Sequence, residues 1–304
     1  MKKIFTMVLV VLGLGRSFSQ TTTDDLMMSK GQICFAAIYE YGTWDRYWEG
    51  TYLRENGNIG ILTRQILMPM VAYGLTDKYN LIVSAPYIKT DASGGTMLGA
   101  QGIQDLSLSF KAKWLNKQLG KGNLSLFINL NFNTPLSNYL SDYVPFSIGM
   151  GAPEVGFRAI ARYKFDQGLY FRASGAYVWR GQTQVERNYY YTGTGGIHYS
   201  EFMDVPNALN SQLTVGHWLA NTRLRIEASY TGIKCTSGDD IRSYHAGQPS
   251  NKMDIDQVGG FAQYYVQESK NLGLIAYYNH VFSGRNMGKF NMVGIGLNYQ
   301  FQMF

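Results

Sequence analysis

Several residue types and patterns that mark other protein classes are scarce in this chain of 304 residues. It has only 7 prolines, 4 histidines and 2 cysteines, and 16% of its residues are charged. No cysteines and histidines stand at metal-ligand spacing, so we expect no metal and no cofactor. No block of five or more like charges occurs either, and the lysines and arginines are spread along the chain. The sequence therefore gives no sign of nucleic-acid binding.

A long hydrophobic run is also missing, and the mean hydropathy is −0.17. The continuously apolar stretch at residues 4–15 holds about a dozen residues, whereas a membrane-spanning helix needs about 20. Lys2 and Lys3 precede this stretch, and Ser17-Phe18-Ser19 follows it in the manner of a small-x-small cleavage site. Despite the atypical Arg16, the pattern predicts a signal peptide over residues 1–19 and a single exported domain over residues 20–304.

The two cysteines, Cys34 and Cys235, are not expected to pair. Cys34 lies near the start of the first strand that we predict, and Cys235 lies just past the far end of a later one. A strand of about 10 residues spans about 30 Å, while a disulfide needs Cα atoms within about 7 Å.

Glycine and aromatic residues are abundant: the chain has 34 Gly, 23 Tyr and 16 Phe, a composition that favours strands and turns. The last stretch, residues 294–304, alternates strictly between apolar or aromatic residues at odd positions, such as Leu297 and Phe301, and small or polar residues at even positions, such as Asn298. Successive side chains of a strand point to opposite faces, so this pattern predicts a strand with one apolar and one polar face.

Twelve segments of this kind can be found along the chain, and the connections between them alternate in length. Short connections are expected at residues 76–78, 116–123, 166–168, 221–222 and 268–271. Long connections, which hold most of the turn-forming and polar residues, are expected at residues 42–58, 90–101, 135–153, 181–207, 233–255 and 283–289. All short turns then lie on one side and all long loops on the other, with both chain ends on the short-turn side.

This organisation predicts an all-β fold: a single antiparallel transmembrane β-barrel of about 12 strands, with short periplasmic turns and long extracellular loops. In residues 124–134, Leu126, Ile128 and Leu130 share one face while Asn129 and Asn131 share the other, which suits lipid outside and water inside. A soluble β-sandwich or lipocalin-like barrel is the alternative, because alternation alone does not say which face points inward.

Aromatic residues near segment ends resemble the interfacial girdle of a membrane barrel. Those assigned to the lipid face are Trp114, Tyr163, Phe165, Phe171, Tyr177, Trp179, Trp218 and Tyr230. The alternating C-terminal strand also resembles the signal that barrel-assembly machinery recognises, although Phe304 falls on the polar parity. We therefore expect the outer membrane of a Gram-negative bacterium as the location, with its lipid and this machinery as partners.

The polar parity of the segments gives the candidate lumen-lining residues, among which cations outnumber anions. They are Asp105, Lys111, Lys113, Arg158, Arg162, Lys164, Arg172, Arg223, Arg225 and Glu227. One hypothesis is a lumen that attracts anionic or electron-rich solutes. The other is that these charges pair across strands and only fill and stiffen the barrel.

Two stretches of the chain are YGLTDKYNLIVSAPY (residues 73–87) and GIQDLSLSFKAKWL (residues 102–115). Both resemble the outer-membrane barrel family named for the meta-cleavage pathway of phenol degradation, with a weaker similarity over residues 123–135. Gln104 stands where the family pattern has a second glycine. The resemblance implies a barrel that transports small aromatic or hydrophobic compounds, and it supplies no catalytic residues.

Two further hypotheses concern enzymatic chemistry and metal binding. His280 and Ser283 are three residues apart and fall on opposite faces of a strand, so no catalytic site is predicted and a rim-site hydrolase is the weaker alternative. Acidic pairs at residues 239–240 and 254–256 are interpreted as solvated loop residues rather than a calcium site.

A surface-binding or structural barrel would use the long loop at residues 180–207 as its working part, or this loop would fold inward and constrict a pore. Its candidate ligand or constriction residues are Tyr189, Tyr190, Tyr191, Tyr199 and Phe202. Only about a dozen residues, 20–31, are expected before the first strand. They are too few for the plug domain of a 22-stranded transporter, so we expect no N-terminal plug.

Overall fold

The structure is a computed structural model that describes residues 21–192, 194–242, 247–266 and 268–303. Over these ranges the chain forms one closed antiparallel barrel of twelve strands with no helix, as the alternation predicts. None of the described ranges holds a helix long and apolar enough to cross a membrane. The predicted signal peptide at residues 1–19 lies outside the described residues.

The barrel strands are numbered here in chain order, and β3 and β4 are each interrupted once. They are β1 (Gln32–Trp44), β2 (Leu62–Thr76), β3 (Tyr79–Ser84 and Tyr87–Ala92), β4 (Gln101–Ile103 and Asp105–Leu119), β5 (Gly122–Pro135), β6 (Glu154–Phe165), β7 (Leu169–Arg180), β8 (Ala208–Leu219), β9 (Leu224–Cys235), β10 (Asp254–Tyr265), β11 (Leu272–Arg285) and β12 (Asn291–Gln302).

Three small hairpins lie in the long loops. They pair Arg46–Glu49 with Tyr52–Glu55, Gln182–Gln184 with Phe202–Asp204, and Tyr190–Tyr191 with Ile197–His198.

The barrel closes between its first and last strands. Each strand pairs with its neighbours in sequence, and Ala36 of β1 lies opposite Asn298 of β12 on one side and opposite Met70 of β2 on the other. A closed sheet leaves no strand edge with unpaired backbone groups, which is the condition for a β-structure to lie in a bilayer.

The apolar face of the sheet points outward and the polar face points inward. Leu213 is 60% exposed and Ile295 is 59% exposed, whereas Asn129 and Gln300 are fully buried. This is the arrangement of a membrane barrel and the reverse of a soluble one. The prediction from alternation is therefore confirmed, and the soluble sandwich is excluded.

The two ends of the barrel differ as predicted. The connections at residues 77–78, 120–121, 166–168, 220–223 and 266–271 form the short-turn end, and the other connections form the long-loop end. The expected turn at 116–123 shrinks to two residues because β4 continues to Leu119, and Gly120 takes a positive φ of 61° that glycine adopts at little cost. Cys34 and Cys235 are both buried and do not form a disulfide with each other, as expected.

One member of the predicted aromatic girdle faces the wrong way. Trp114 is 75% exposed and Trp179 is 50% exposed, so both lie on the outer surface, but Trp218 is 6% exposed and packs inside the barrel. In β8 the outward residues, Leu213 among them, occupy odd positions, and Trp218 is even. Its assignment to the lipid face was wrong by one position.

Candidate functional site: the occluded lumen

Residues 21–31, called here the N-terminal segment, run inside the barrel before β1 begins. At its β1 end the backbone packs closely on β2: Gly31 N donates to the Gly74 carbonyl over 2.8 Å, and a Cβ at Gly74 would lie 2.0 Å from the Ser29 carbonyl oxygen. Only glycine allows this approach. Met28 is fully buried among Ala72 and other inward residues of β1 to β3.

Two aspartates hold the middle of the segment to the barrel wall. Lys111 of β4 donates from Nζ to Asp24 Oδ1 over 2.7 Å, and the same amine donates to the Thr21 carbonyl over 2.9 Å. Asp25 accepts from Arg162 of β6 at 2.7 Å and from Arg172 of β7 at 2.8 Å. Each carboxylate thus neutralises cations that the wall presents to the lumen.

Glu227 of β9 completes this group, which we call the ionic cluster. Its carboxylate accepts from Arg172 at 2.9 and 3.0 Å, from Arg225 Nε at 2.9 Å and from the Tyr170 hydroxyl. The members of the cluster are Asp24, Asp25, Lys111, Arg162, Arg172, Arg225 and Glu227. The charged side chains that the strands contribute to the cluster attract their partners strongly because they are largely removed from water.

An apolar contact adds to the ionic ones. Leu26 of the N-terminal segment packs against the buried rings of Tyr170, Trp218 and Tyr265 near the short-turn end. The segment is therefore anchored by charge at Asp24 and Asp25 and by apolar burial at Leu26 and Met28, and it occupies part of the lumen towards the short-turn end.

Above the segment lies a central cavity of about 660 Å³, whose floor is formed by residues 21–24. One part of its wall is polar and includes Glu154, Arg180 and Gln212. Another part is apolar and includes Met68, Phe261 and Ile275. A cavity with both kinds of wall suits a molecule that has an apolar body and a few polar groups.

The long loop at residues 136–153 narrows the lumen from the other end. Its Phe146 and Ile148 are buried, the Thr90 hydroxyl donates to the Phe146 carbonyl over 2.6 Å, and Arg64 Nη2 of β2 donates to the Ile148 carbonyl over 3.0 Å. Tyr139 of the same loop donates to Asp105 at 2.7 Å. The central cavity thus lies between an inward-folded loop and the N-terminal segment.

Comparison with known families decides how this architecture is classified. A family model described as "Putative MetA-pathway of phenol degradation" matches residues 54–297, most of the chain. The chain belongs to this family. The resemblance of residues 73–87 and 102–115 to it is confirmed.

Solved structures show the same fold for this member of the phenol-degradation family. The COG4313 outer membrane channel from Pseudomonas putida F1 superposes with a TM-score of 0.73 at 13% identity, covering 94% of this chain and 100% of that one. The NanC porin gives a TM-score of 0.49 at 9% identity, over 86% of this chain and 98% of that one. No curated protein sequence matches the chain.

The structure brings five of the ten predicted lumen residues into the ionic cluster: Lys111, Arg162, Arg172, Arg225 and Glu227. Lys113 and Lys164 line a second cavity at the short-turn end, and Asp105 lines the central cavity. The other two lie apart, since Arg158 donates to Ser174 Oγ at 3.0 Å and Arg223 lies in the turn before β9.

The predicted loop aromatics form a group of their own around the hairpin at residues 190–198. The rings of Tyr189 and Tyr191 meet edge to face at 6.2 Å, and Tyr190 contacts His198. Tyr199 and Phe202 are exposed. None of the five lines the central cavity, to which the loop at 136–153 contributes Met150 instead.

The N-terminal segment is the part of the candidate site that the sequence analysis did not predict. The expectation of no N-terminal plug was wrong: the eleven residues 21–31 occupy part of the lumen of a twelve-stranded barrel, although they cannot form a plug domain. A signal was available, because cations outnumber anions on the polar parity and must be balanced. Asp24 and Asp25 form an acidic pair directly before the first strand.

Proposed function

We propose that this protein is an outer-membrane channel of a Gram-negative bacterium that passes small molecules through the barrel lumen, and that the N-terminal segment is its gate. The observation that carries the proposal is the central cavity of about 660 Å³, which is bounded on the short-turn side by a segment of eleven residues rather than by a folded domain. Such a segment can leave the lumen without unfolding any strand.

For the solute, we propose a small aromatic or hydrophobic compound with few polar groups. The family description and the apolar part of the cavity wall, with Met68, Phe261 and Ile275, support this choice. A transport role fits the site better than catalysis does. The His280 ring contacts Asn291 Oδ1 at 2.7 Å on the same face as the exposed Tyr278, away from the cavity.

Single-channel recording in planar bilayers tests the proposal. We expect small or rare conductance steps from the full mature chain and large, frequent ones from a variant that lacks residues 21–27. Uptake of phenol into liposomes that contain the protein should rise in the same variant. If the variant folds, yet neither conducts nor takes up phenol, the channel proposal is wrong and a binding or structural role gains support.

A further inference from the structure

A second cavity, called here the periplasmic pocket, opens at the short-turn end below the N-terminal segment. It has a volume of about 530 Å³ and is lined by four cationic side chains and two acidic ones. The cations are Lys113, Arg162, Lys164 and Lys270, and the acids are Asp25 and Glu268. The pocket therefore has an excess of positive charge even with the segment in place.

Two of these cations are not balanced by a carboxylate. Asp25 is already shared between Arg162 and Arg172, and Lys270 donates to the Thr222 hydroxyl at 2.7 Å. Across the described residues, Lys113 and Lys164 take part in no ion pair, and Lys164 Nζ lies 5.8 Å from the centre of the Trp218 ring. Unpaired amines in a recess attract an anion, since nearby low-dielectric walls focus their field.

Strand register places Arg162 between the two lysines along β5. Lys113 lies opposite Phe127 of β5, and Arg162 and Lys164 lie opposite Ser125 and Asn123 of the same strand. β4 and β6 flank β5, so their backbones are about 10 Å apart, twice the strand spacing, and the two lysines are also offset by four residues, about 13 Å, along β5. Both side chains line the same pocket, and when they extend towards each other the two amines can contact the two oxygens of one carboxylate.

Beside the charged groups, the pocket has polar residues, Asn116, Ser125, Asn221 and Thr222, and one apolar part. Leu26 and Met27 of the segment, with Phe127 and Trp218 of the wall, line it beside the amines. We propose that the periplasmic pocket binds an organic carboxylate with an aromatic or aliphatic body, with Lys113 and Lys164 holding the carboxylate and Trp218 and Phe127 the body. Asp25 already shows that this wall binds a carboxylate, through Arg162. The inference rests on the proposed channel and names an anionic solute class for its periplasmic mouth.

Calorimetric titration of the purified protein in a nonionic detergent tests the site. The probes are 4-phenylbutyrate, the neutral 4-phenylbutan-1-ol and inorganic phosphate. Phenylbutyrate has both a negative charge and an apolar body, the alcohol has only the apolar body, and phosphate has only the charge. We expect binding of phenylbutyrate only, weakened by added salt. Equal binding of the alcohol, or phosphate binding as strong as that of phenylbutyrate, would overturn the proposal.

Variants locate the site. Lys113→Met with Lys164→Met should weaken phenylbutyrate binding by about tenfold or more, the effect of losing charge-assisted hydrogen bonds. Lys164→Arg should retain binding, and Lys121→Met, a change on the exposed β4–β5 turn, should have no effect. If the double variant bound phenylbutyrate with unchanged affinity, the proposed site would be wrong. These titrations do not depend on conductance, so failure of the channel recordings would leave them readable.

Discussion

The carboxylate of Asp25 and the guanidinium of Arg172 lie 147 residues apart in sequence and are joined by a hydrogen bond of 2.8 Å inside the barrel. Asp25 precedes the first strand, and Arg172 belongs to the seventh. Burial by itself raises the pKa of Asp25, but Arg172 and Arg162 outweigh it and hold that pKa well below its ordinary value. The segment is therefore fastened by a carboxylate that stays charged at any physiological pH.

The first prediction concerns this fastening. Asp25→Asn keeps the size of the side chain but removes its charge, so Arg162 and Arg172 lose their attraction to the segment. A charge-assisted hydrogen bond contributes about 1.5–3 kcal/mol, so the fraction of time spent open should rise by about tenfold or more. Single-channel recording measures this fraction directly.

The matched control for Asp25→Asn is Asp45→Asn. Asp45 is a loop aspartate whose side chain is 70% exposed. Its loss should leave channel opening unchanged, since exposed ion pairs contribute little. If both variants opened equally often, or if neither did, Asp25 would not be what holds the segment.

The second prediction concerns the wall itself. Glu227 is buried and balances Arg172 and Arg225, so Glu227→Gln leaves the buried positive charge of the cluster undercompensated. Breaking one partner of a buried pair costs about 3–5 kcal/mol, and we expect a loss of stability in this range. Urea unfolding in lipid vesicles measures it.

Two further variants separate this effect from a general one. Glu154→Gln breaks the ion pair with Arg180. The side chains of Arg180 and Glu154 are 15% and 19% exposed, so this variant should lose less stability than Glu227→Gln. Glu227→Gln combined with Arg225→Met removes both charges and should recover part of the loss. If the double variant lost as much stability as the two single variants added together, the pairing of Glu227 with Arg225 would not be what stabilises the wall.

Much of the barrel was predictable because one physical rule acts at every strand. A bilayer outside and water inside impose a period of two, and the period can be seen in Leu126, Ile128 and Leu130 without knowing any partner. The rule failed at Trp218, where the parity was misread by one position. The rule predicts nothing about residues 21–31, because these residues do not alternate with a period of two. Their contacts with Lys111 and Arg172 also join parts of the chain that are far apart in sequence.

The third prediction tests the lipid face. Leu213 lies near the middle of β8 and is 60% exposed, while Leu219 ends the same strand on the same face. An arginine on the lipid face costs about 2–4 kcal/mol at the bilayer midplane and about 0–1 near the interface. Leu213→Arg should therefore destabilise the barrel in vesicles much more than Leu219→Arg. Equal losses would place the bilayer elsewhere on the barrel.

The fourth prediction concerns pH at the long-loop end. Arg285 donates twice to Asp240, over 2.7 Å from Nε and 2.7 Å from Nη2, and Asn286 donates to it at 3.0 Å. Hydrogen bonds from Arg285, then from Asn286, lower the pKa of Asp240 to about 2. Because the folded pKa is below the ordinary value, this contact stabilises the loop fully above pH ~4 and is lost as the pH falls towards 2.

Pepsin, which is active in acid, can report this loss as cleavage within residues 236–253. Wild-type protein should resist cleavage at pH 4 and become sensitive as the pH approaches 2, whereas Asp240→Asn should already be sensitive at pH 4. Asp142→Asn breaks a comparable pair with Arg187 in another loop and should leave this profile unchanged. Cleavage in 236–253 with the same pH dependence in wild type and Asp240→Asn would mean that another group controls the loop.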